Sequence, residues 1–213
     1  MSIKNKITPE IKKKFLEEIK LTEKRNKERA FFLCLGKKGE LYPSRTCEGT
    51  ECAINPFEAI KPGTAGSCIE DIQGFFHTHH GLRTIRDEYK EKYRRILSDE
   101  KIKESYKKRA IELKEDTESG LSSWRRPSYG DLIEALKNKC TNMTKGTTCI
   151  GTTLDLEKVE CWTVKIPGKQ KEKICDKVYD ETIKYKKEPL GIEKRKWLIP
   201  LFDREIIDIK NKR

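Results

Sequence analysis

Residues 69–81 read IEDIQGFFHTHHG, a short apolar run that ends in a cluster of histidines. The run has the length and composition of a buried strand, so residues 69–76 are predicted to lie at the centre of a sheet. His77 and His79 should project from the same side of this extended segment, because side chains alternate with period two. These two residues and His80 are the only histidines of the protein. Any metal site built on them must therefore be completed by carboxylates or thiolates.

The segments on either side predict an α/β (α+β) fold, with a mixed central β-sheet flanked by helices. Upstream, Thr8 and Pro9 indicate the start of an amphipathic helix that runs to about residue 24. The apolar run 30–35 is typical of a buried strand, with a hairpin return near residues 40–46. Downstream, the expected elements are a helix over residues 127–139, paired strands over 147–153 and 157–166, a helix over 172–186 and a strand-like segment over 197–209.

Residues 82–118 interrupt this pattern, because almost every position is charged or helix-forming. Their apolar residues fall at helical spacing in two stretches, which predicts an inserted helical hairpin. We expect residues 1–213 to form one domain, with 82–118 as the insert and 167–213 as a C-terminal extension. The insert begins directly after the histidines, so it should stand beside the site as a lid or a docking arm.

The composition predicts a densely charged cytoplasmic protein with no membrane association. The 213 residues include 47 Lys and Arg and 35 Asp and Glu, with a net charge of +12 and a mean hydropathy of -0.81. No stretch approaches the roughly 20 apolar residues of a membrane span. The basic residues are interleaved with Glu, a pattern typical of a solvated, ion-paired surface. Nucleic acid is therefore compatible with the charge but is not favoured as a partner.

The eight cysteines leave several alternatives open, because none forms a CxxC pair. Lys, Glu and Ile are plentiful and Gln is rare, a bias that leans towards heat-adapted proteins. In such proteins internal disulfides are reasonable even inside a cell. The alternatives are buried thiols at Cys34 and Cys161, a structural zinc held by Cys47, Cys52 and Cys68, and disulfides such as Cys47–Cys52 or Cys140–Cys149.

Three pieces of the sequence together resemble the JAMM metalloprotease family, also called JAB or MPN-plus. The family pattern is a Glu before an apolar strand that ends in Gly, a His-x-His at a strand end, and a Ser-x-x-Asp that opens a helix. Here Glu28 precedes the apolar run 30–35, which is followed by Gly36. His77 and His79 follow the central strand, and residues 127–132 read PSYGDL. The resemblance spans roughly residues 8–166, with the insert as a gap. It implies a cytidine-deaminase-like JAB/MPN fold.

The resemblance also implies a complete catalytic site. His77, His79 and Asp131 would hold zinc, with a water in the fourth position. Glu28 would move the proton of that water to the leaving amine, and Ser128 would donate to the water or to the oxyanion. Ser128 and Asp131 also fit a capping box at a helix start, an arrangement common without any active site.

This sequence departs from the family pattern in two places. His80 stands where the family usually has Pro, and the segment between His79 and Asp131 is longer than usual. A hairpin whose ends lie close together can be inserted without moving its anchors. Glu40 in the return strand is the alternative base if Glu28 does not reach the site.

The function implied by the resemblance is that of a zinc metallopeptidase or isopeptidase. Its substrate would be a peptide or isopeptide bond at the C-terminal tail of a ubiquitin-like protein, a small protein modifier or a sulfur-carrier protein. One alternative is a non-catalytic MPN-type scaffold. Another is a RadC-like nucleic-acid-associated protein, suggested by the basic charge and by arginines around the insert.

Overall fold

The computed structural model describes residues 2–36, 38–49, 71–79, 94–95, 98–100, 127–153, 155–187 and 197–210. The predicted helical hairpin at 82–118 lies outside these residues, apart from the short stretches 94–95 and 98–100, as do His80, Cys52 and Cys68. The described helices and strands, in chain order, are α1 (Pro9–Arg25), β1 (Arg29–Leu35), β2 (Leu41–Pro43), β3 (Cys47–Glu48), β4 (Ile72–His79), α2 (Tyr129–Cys140), β5 (Thr147–Thr152), β6 (Asp155–Val164), α3 (Lys171–Lys187) and β7 (Phe202–Asp208).

The strands form one seven-stranded mixed sheet in the order β2-β1-β4-β5-β6-β7, with β3 also paired to β1. All neighbouring strands are antiparallel except β4 and β5, which are parallel. Gly74 permits the close approach of this parallel pair, since a Cβ there would lie 2.0 Å from the Thr147 carbonyl oxygen. The prediction of a mixed central sheet flanked by helices is confirmed.

Helix α1 covers one face of the sheet and begins and ends where the sequence indicates. The Thr8 hydroxyl accepts a hydrogen bond from the Ile11 amide, and Pro9 occupies the first turn. The helix ends at Asn26, which adopts a left-handed conformation with φ of 55°. Its apolar side packs against alternate residues of the central strands, in a core that includes Ile11, Phe15, Ile19, Phe31, Leu33, Phe76 and Cys149.

Helices α2 and α3 lie on the opposite face. Leu132 and Leu136 of α2, together with Val178 of α3, pack on Trp162 and Val164 of β6. Among the described residues, this second core packs on the end of β6 that holds Trp162 and Val164. The opposite end of the same face, where β4 ends, carries His77 and His79.

The C-terminal residues contribute to the same sheet. Strand β7 pairs along the length of β6 from Lys158↔Asp208 to Val164↔Phe202. Ile207 and Ile209 lie in the core beneath α1 with Ile3 and Ile7 from the other end of the chain.

Two predicted strands are shorter than expected. The return strand covers only Leu41–Pro43. The Ser44 amide still donates to the Phe32 carbonyl, but the Phe32 amide donates to the Ser44 hydroxyl instead of the Ser44 carbonyl, and regular pairing stops there. In the segment 197–209, Pro200 lies in a short 3-10 helix (Ile199–Leu201), so the strand itself begins at Phe202.

The cysteine pairing differs from the expectation. Cys140 is bonded to Cys175 and Cys149 to Cys161, so the suggested pair Cys140–Cys149 is wrong. The interpretation of Cys34 and Cys161 as buried thiols is also wrong, because both are disulfide-bonded. Cys47 is a thiol whose Sγ lies 3.5 Å from the Ala30 carbonyl oxygen, which contradicts a Cys47–Cys52 disulfide.

The Cys140–Cys175 bond joins the end of α2 to α3 across 35 positions of sequence. Replacing both cysteines with serine should lower the free energy of unfolding by about 3–4 kcal/mol, because the unfolded chain regains the entropy of a loop of that length. Urea denaturation of the oxidised proteins measures this difference. The matched control is Cys47→Ser, which removes a thiol but no cross-link. An unchanged urea midpoint in the double variant would contradict the prediction.

In the part of the chain that the structure describes, no helix is both long enough and apolar enough to cross a bilayer.

Candidate metal centre

Strand β4 places two histidines on the sheet face opposite to α1. The strand runs through His79, further than the sequence predicted, and its register pairs His77 with Ala30 of β1. His77 is only 3% exposed, and its Nε2 lies 3.0 Å from the Nε2 of His79. The two rings therefore present their Nε2 atoms to the same point in space.

Thr78 anchors the strand between these two histidines. Its hydroxyl faces α1, where it lies 2.6 Å from the hydroxyl of Thr22, and it accepts a hydrogen bond of 2.9 Å from the Arg29 amide. The Arg29 guanidinium in turn binds the buried carboxylate of Glu18 in α1. These contacts fix helix α1, strand β1 and strand β4 relative to one another directly behind the histidines.

Asp131 reaches the same point from the first turn of α2. Its Oδ1 lies 3.3 Å from Nε2 of His77, and its Oδ2 lies 3.6 Å from Nε2 of His79. The helix start holds the carboxylate through a capping box, in which the Ser128 hydroxyl accepts from the Asp131 amide and Oδ2 accepts from the Ser128 amide at 2.6 Å. Because Oδ2 is engaged in the cap, Oδ1 is the oxygen better placed to bind a metal.

The spacing of these atoms fits a tetrahedral metal ion. One ligand atom from each of His77, His79 and Asp131 lies within 4.8 Å of the others. Nε2 of His77 lies 3.0 Å from Nε2 of His79 and 3.3 Å from Oδ1 of Asp131. Two ligand atoms held 2.0–2.1 Å from a tetrahedral zinc are about 3.3–3.4 Å apart. Two imidazoles and a carboxylate also suit zinc and other transition metals better than magnesium or calcium. The His-His-Asp group is thus able to hold a metal ion.

The groups around Asp131 favour the ionised form of its carboxyl group, which is the form that binds a cation. Burial alone would raise the pKa of this carboxyl group, but the charge of His77 and hydrogen bonds from both imidazoles hold its pKa well below the usual range. Among the described residues, the buried Nδ1 of His77 has no hydrogen-bond partner. Nε2 is therefore the ring nitrogen through which His77 contacts the other metal-binding candidates.

Glu28 lies beside the three metal-binding candidates. It precedes Ala30 by two positions, so the antiparallel register of β1 and β4 places it opposite His79 and on the same face. The side chain is 8% exposed. Burial raises the pKa of Glu28, and the charges of His79 and His77 offset part of this increase while Asp131 adds to it. A buried carboxyl group with a raised pKa, placed beside the metal-binding candidates, is suited to accept and release a proton.

The structure places the other candidates as follows. Ser128 is next to the Asp131 carboxylate in the capping box. Glu40 follows β1 at the end far from the histidines. The strand residue at that end, Leu35, is separated by five residues of extended chain, about 17 Å, from Ala30, which pairs with His77. Its side chain folds back over Gly36. Glu28 is therefore much nearer than Glu40 to the metal-binding candidates, and His80 lies outside the described residues.

Sequence patterns do not predict two features of the site. The anchoring of Thr78 by Thr22 joins residues 56 positions apart, and no local motif marks it. A cleft on the site face is lined by residues of β5, β6 and β7, including Glu160 and Arg204. The only sequence signal for the cleft is the alternation of polar residues along β6.

Comparison with known proteins finds no family model, curated protein or solved structure that matches the chain.

Proposed function

We propose that the protein is a zinc-dependent peptidase or isopeptidase with a JAMM-type site on a JAB/MPN-like fold. The observation that carries the proposal is the convergence of His77, His79 and Asp131 at ligand distances with Glu28 on the same face. The order of these residues along the chain, and the elements that carry them, match the motif that the sequence resembles. A bound zinc ion would polarise the scissile carbonyl and bring the pKa of a coordinated water to about 7.

Residues of the chain would carry out proton transfer, stabilise the oxyanion and hold the metal. Glu28 accepts a proton from the attacking water and delivers it to the leaving amine, as a general base and then a general acid. Ser128, next to the Asp131 carboxylate, donates a hydrogen bond to the oxyanion that forms on the substrate carbonyl. His77, His79 and Asp131 hold the metal, and the contacts of Thr78 and Arg29 keep the site in place.

The proposed substrate is a peptide or isopeptide bond at the C-terminal tail of a ubiquitin-like or other small protein modifier. This part rests on the family resemblance rather than on a contact of the described residues. The RadC-like alternative rests on the basic net charge and on arginines around the insert. Of these arginines, all but Arg94 and Arg95 lie outside the described residues.

The experiment is a metal-exchange assay on the full chain. The protein is stripped with a chelator, reloaded with one equivalent of zinc, and assayed on a small modifier protein joined by its C-terminal carboxyl group to a lysine side chain. A linear peptide of the same tail serves as the second substrate. We expect hydrolysis only in the zinc-loaded protein and renewed loss on chelation. A zinc-loaded protein that cleaves neither substrate would favour the non-catalytic scaffold and contradict the proposal.

A further inference from the structure

Strand β7 forms one edge of the sheet and offers a row of backbone groups to a further strand. It pairs with β6 over seven residues without a register shift, and among the described residues no strand pairs with its other side. The opposite edge includes the three-residue strand β2, which ends at Pro43. Natural sheets protect their edges with short strands and with proline, so that edge is protected in a way that β7 is not.

The amide and carbonyl groups of alternate β7 residues point away from β6. At the two ends of the β6–β7 pair, the Lys165 amide donates to the Leu201 carbonyl and the Ile209 amide donates to the Glu157 carbonyl. Since hydrogen-bonded residues alternate along an antiparallel pair, the odd-numbered residues of β7 bond to β6 and the even-numbered residues face outwards. The outward row includes Arg204, Ile206 and Asp208. In the described part of the chain, nothing bonds to the backbone groups of this row.

The side chains of the outward row place an apolar residue between two opposite charges. Ile206 lies at the centre and is 45% exposed. Arg204 and Asp208, two positions away on either side, are also exposed. The register through β6 and β5 places all three side chains on the sheet face that carries His77. An unpaired edge with an exposed aliphatic residue at its centre is a template for pairing with another chain.

A second copy of the chain complements this row in one antiparallel register. When Ile206 faces Ile206 of the second copy across a twofold axis, Arg204 faces Asp208 of that copy, and Asp208 faces its Arg204. Residues directly opposite each other in an antiparallel pair share a face, so the two isoleucines contact each other and both charge pairs are of opposite sign. The same surface serves both partners, as a twofold interface requires.

The other registers place like charges opposite each other. In the adjacent registers, Glu205 faces Glu205 of the second copy, or Arg204 faces its Lys210. In the registers beyond these, Arg204 or Asp208 faces its own counterpart. Like charges directly opposite each other on paired strands are destabilising. The charges that disfavour these pairings therefore select the register centred on Ile206.

Both charged residues can form the new pair without losing their present contacts. Arg204 donates from Nη2 to the Glu160 carboxylate at 2.7 Å, and a guanidinium group has five N–H donors. Asp208 accepts the Lys210 amide at Oδ1, at 3.1 Å, and its Oδ2 can accept from the second copy. The proposed contact thus adds hydrogen bonds to the edge strand and breaks none.

We propose that β7 is a homodimer interface, in which two copies of the chain join their sheets edge to edge about a twofold axis at Ile206. About six backbone hydrogen bonds link the two strands, two for each hydrogen-bonded pair of the outward row. The faces that carry the metal-binding candidates lie on the same side of the joined sheet. The two β4 strands are then seven strand spacings apart, about 34 Å. This interface goes beyond the proposed peptidase function and does not depend on it.

The test measures the mass of the full chain by sedimentation equilibrium over a range of micromolar concentrations. The main variants are Ile206→Lys and Ile206→Glu, because a residue on the twofold axis faces its own copy and each variant alone opposes like charges. Asp208→Lys is a second variant, which places a lysine opposite Arg204 of the second copy. Ile199→Lys is the matched control, since Ile199 is equally exposed at 47% but precedes the edge strand.

We expect the wild-type chain and Ile199→Lys to pass from monomer to dimer as the concentration rises. Ile206→Lys, Ile206→Glu and Asp208→Lys should each raise the dimer dissociation constant about tenfold or more. An equimolar mixture of Ile206→Lys and Ile206→Glu should recover the dimer, because lysine then faces glutamate, and this recovery also shows that both variants are folded. A monomeric wild-type chain, a dimer indifferent to Ile206, an equal effect of Ile199→Lys, or a mixture that stays monomeric would each overturn the proposal.

Discussion

Asp131→Ala should remove the metal from the protein. Zinc content, measured by mass spectrometry after reloading, is expected to fall from about one ion per chain to near zero. Loss of a partner that only orients a ligand costs about 10–100-fold in metal affinity, and loss of a direct ligand should cost more. His77→Ala is expected to have the same effect, since its Nε2 atom lies 3.3 Å from the Asp131 carboxylate.

The capping role of Asp131 requires its own control. Its carboxylate accepts the Ser128 amide, so the alanine variant also loses about 1 kcal/mol of helix stability. Asp131→Asn retains an acceptor oxygen for the cap but removes the negative charge, and it should remain folded while binding zinc weakly. Glu134→Ala alters an acid of the same helix that pairs with Lys137, and it should keep its zinc. If His80→Ala lost zinc and His79→Ala kept it, the assignment of ligands would be wrong.

Glu28→Gln should abolish hydrolysis while leaving zinc in place. The amide has nearly the same shape as the carboxylate but cannot carry a proton between the water and the leaving amine. Removal of a general acid or base commonly lowers the rate by about 10²–10⁴. The measurement is kcat on the linear peptide, with zinc content determined on the same samples.

Glu40→Gln provides the matched control for this variant. Glu40 follows the far end of β1, so its replacement should leave kcat within about twofold of the wild-type value. An inactive Glu40→Gln protein together with an active Glu28→Gln protein would identify Glu40 as the base and contradict the geometry of the β1–β4 register.

Local sequence patterns were sufficient for most elements of the fold. Helix α1 follows from Thr8, Pro9 and the fourfold spacing of its apolar residues, and α2 follows from the capping pattern of Ser128 and Asp131. The strands around the site follow from short apolar runs bounded by turn residues. In each case the interactions that decide the element lie within a few residues of one another.

Features that depend on distant contacts could not be derived in this way. Spacing along the sequence suggests Cys149 as one alternative partner of Cys140, whereas its partner is Cys175 on a helix that packs against α2. Cys149 and Cys161 lie directly opposite each other, a fact fixed by the register of β5 and β6 rather than by their spacing. The cleft beyond the metal-binding candidates depends on the same kind of information, since its lining residues come from three strands.

The contact between the two ends of the chain has a consequence for the order of folding. Ile3 and Ile7 share a core with Ile207 and Ile209, and the Lys4 amide donates to Glu205 across 201 positions of sequence. On a ribosome that adds 5–20 residues per second, roughly 10–40 s pass between synthesis of the first and the last of these residues. During that interval the apolar side of α1 lacks part of its packing partner. We therefore expect the nascent chain to complete its native core only after Ile207 and Ile209 have emerged from the ribosome, and to bind chaperones that recognise exposed apolar surface until then.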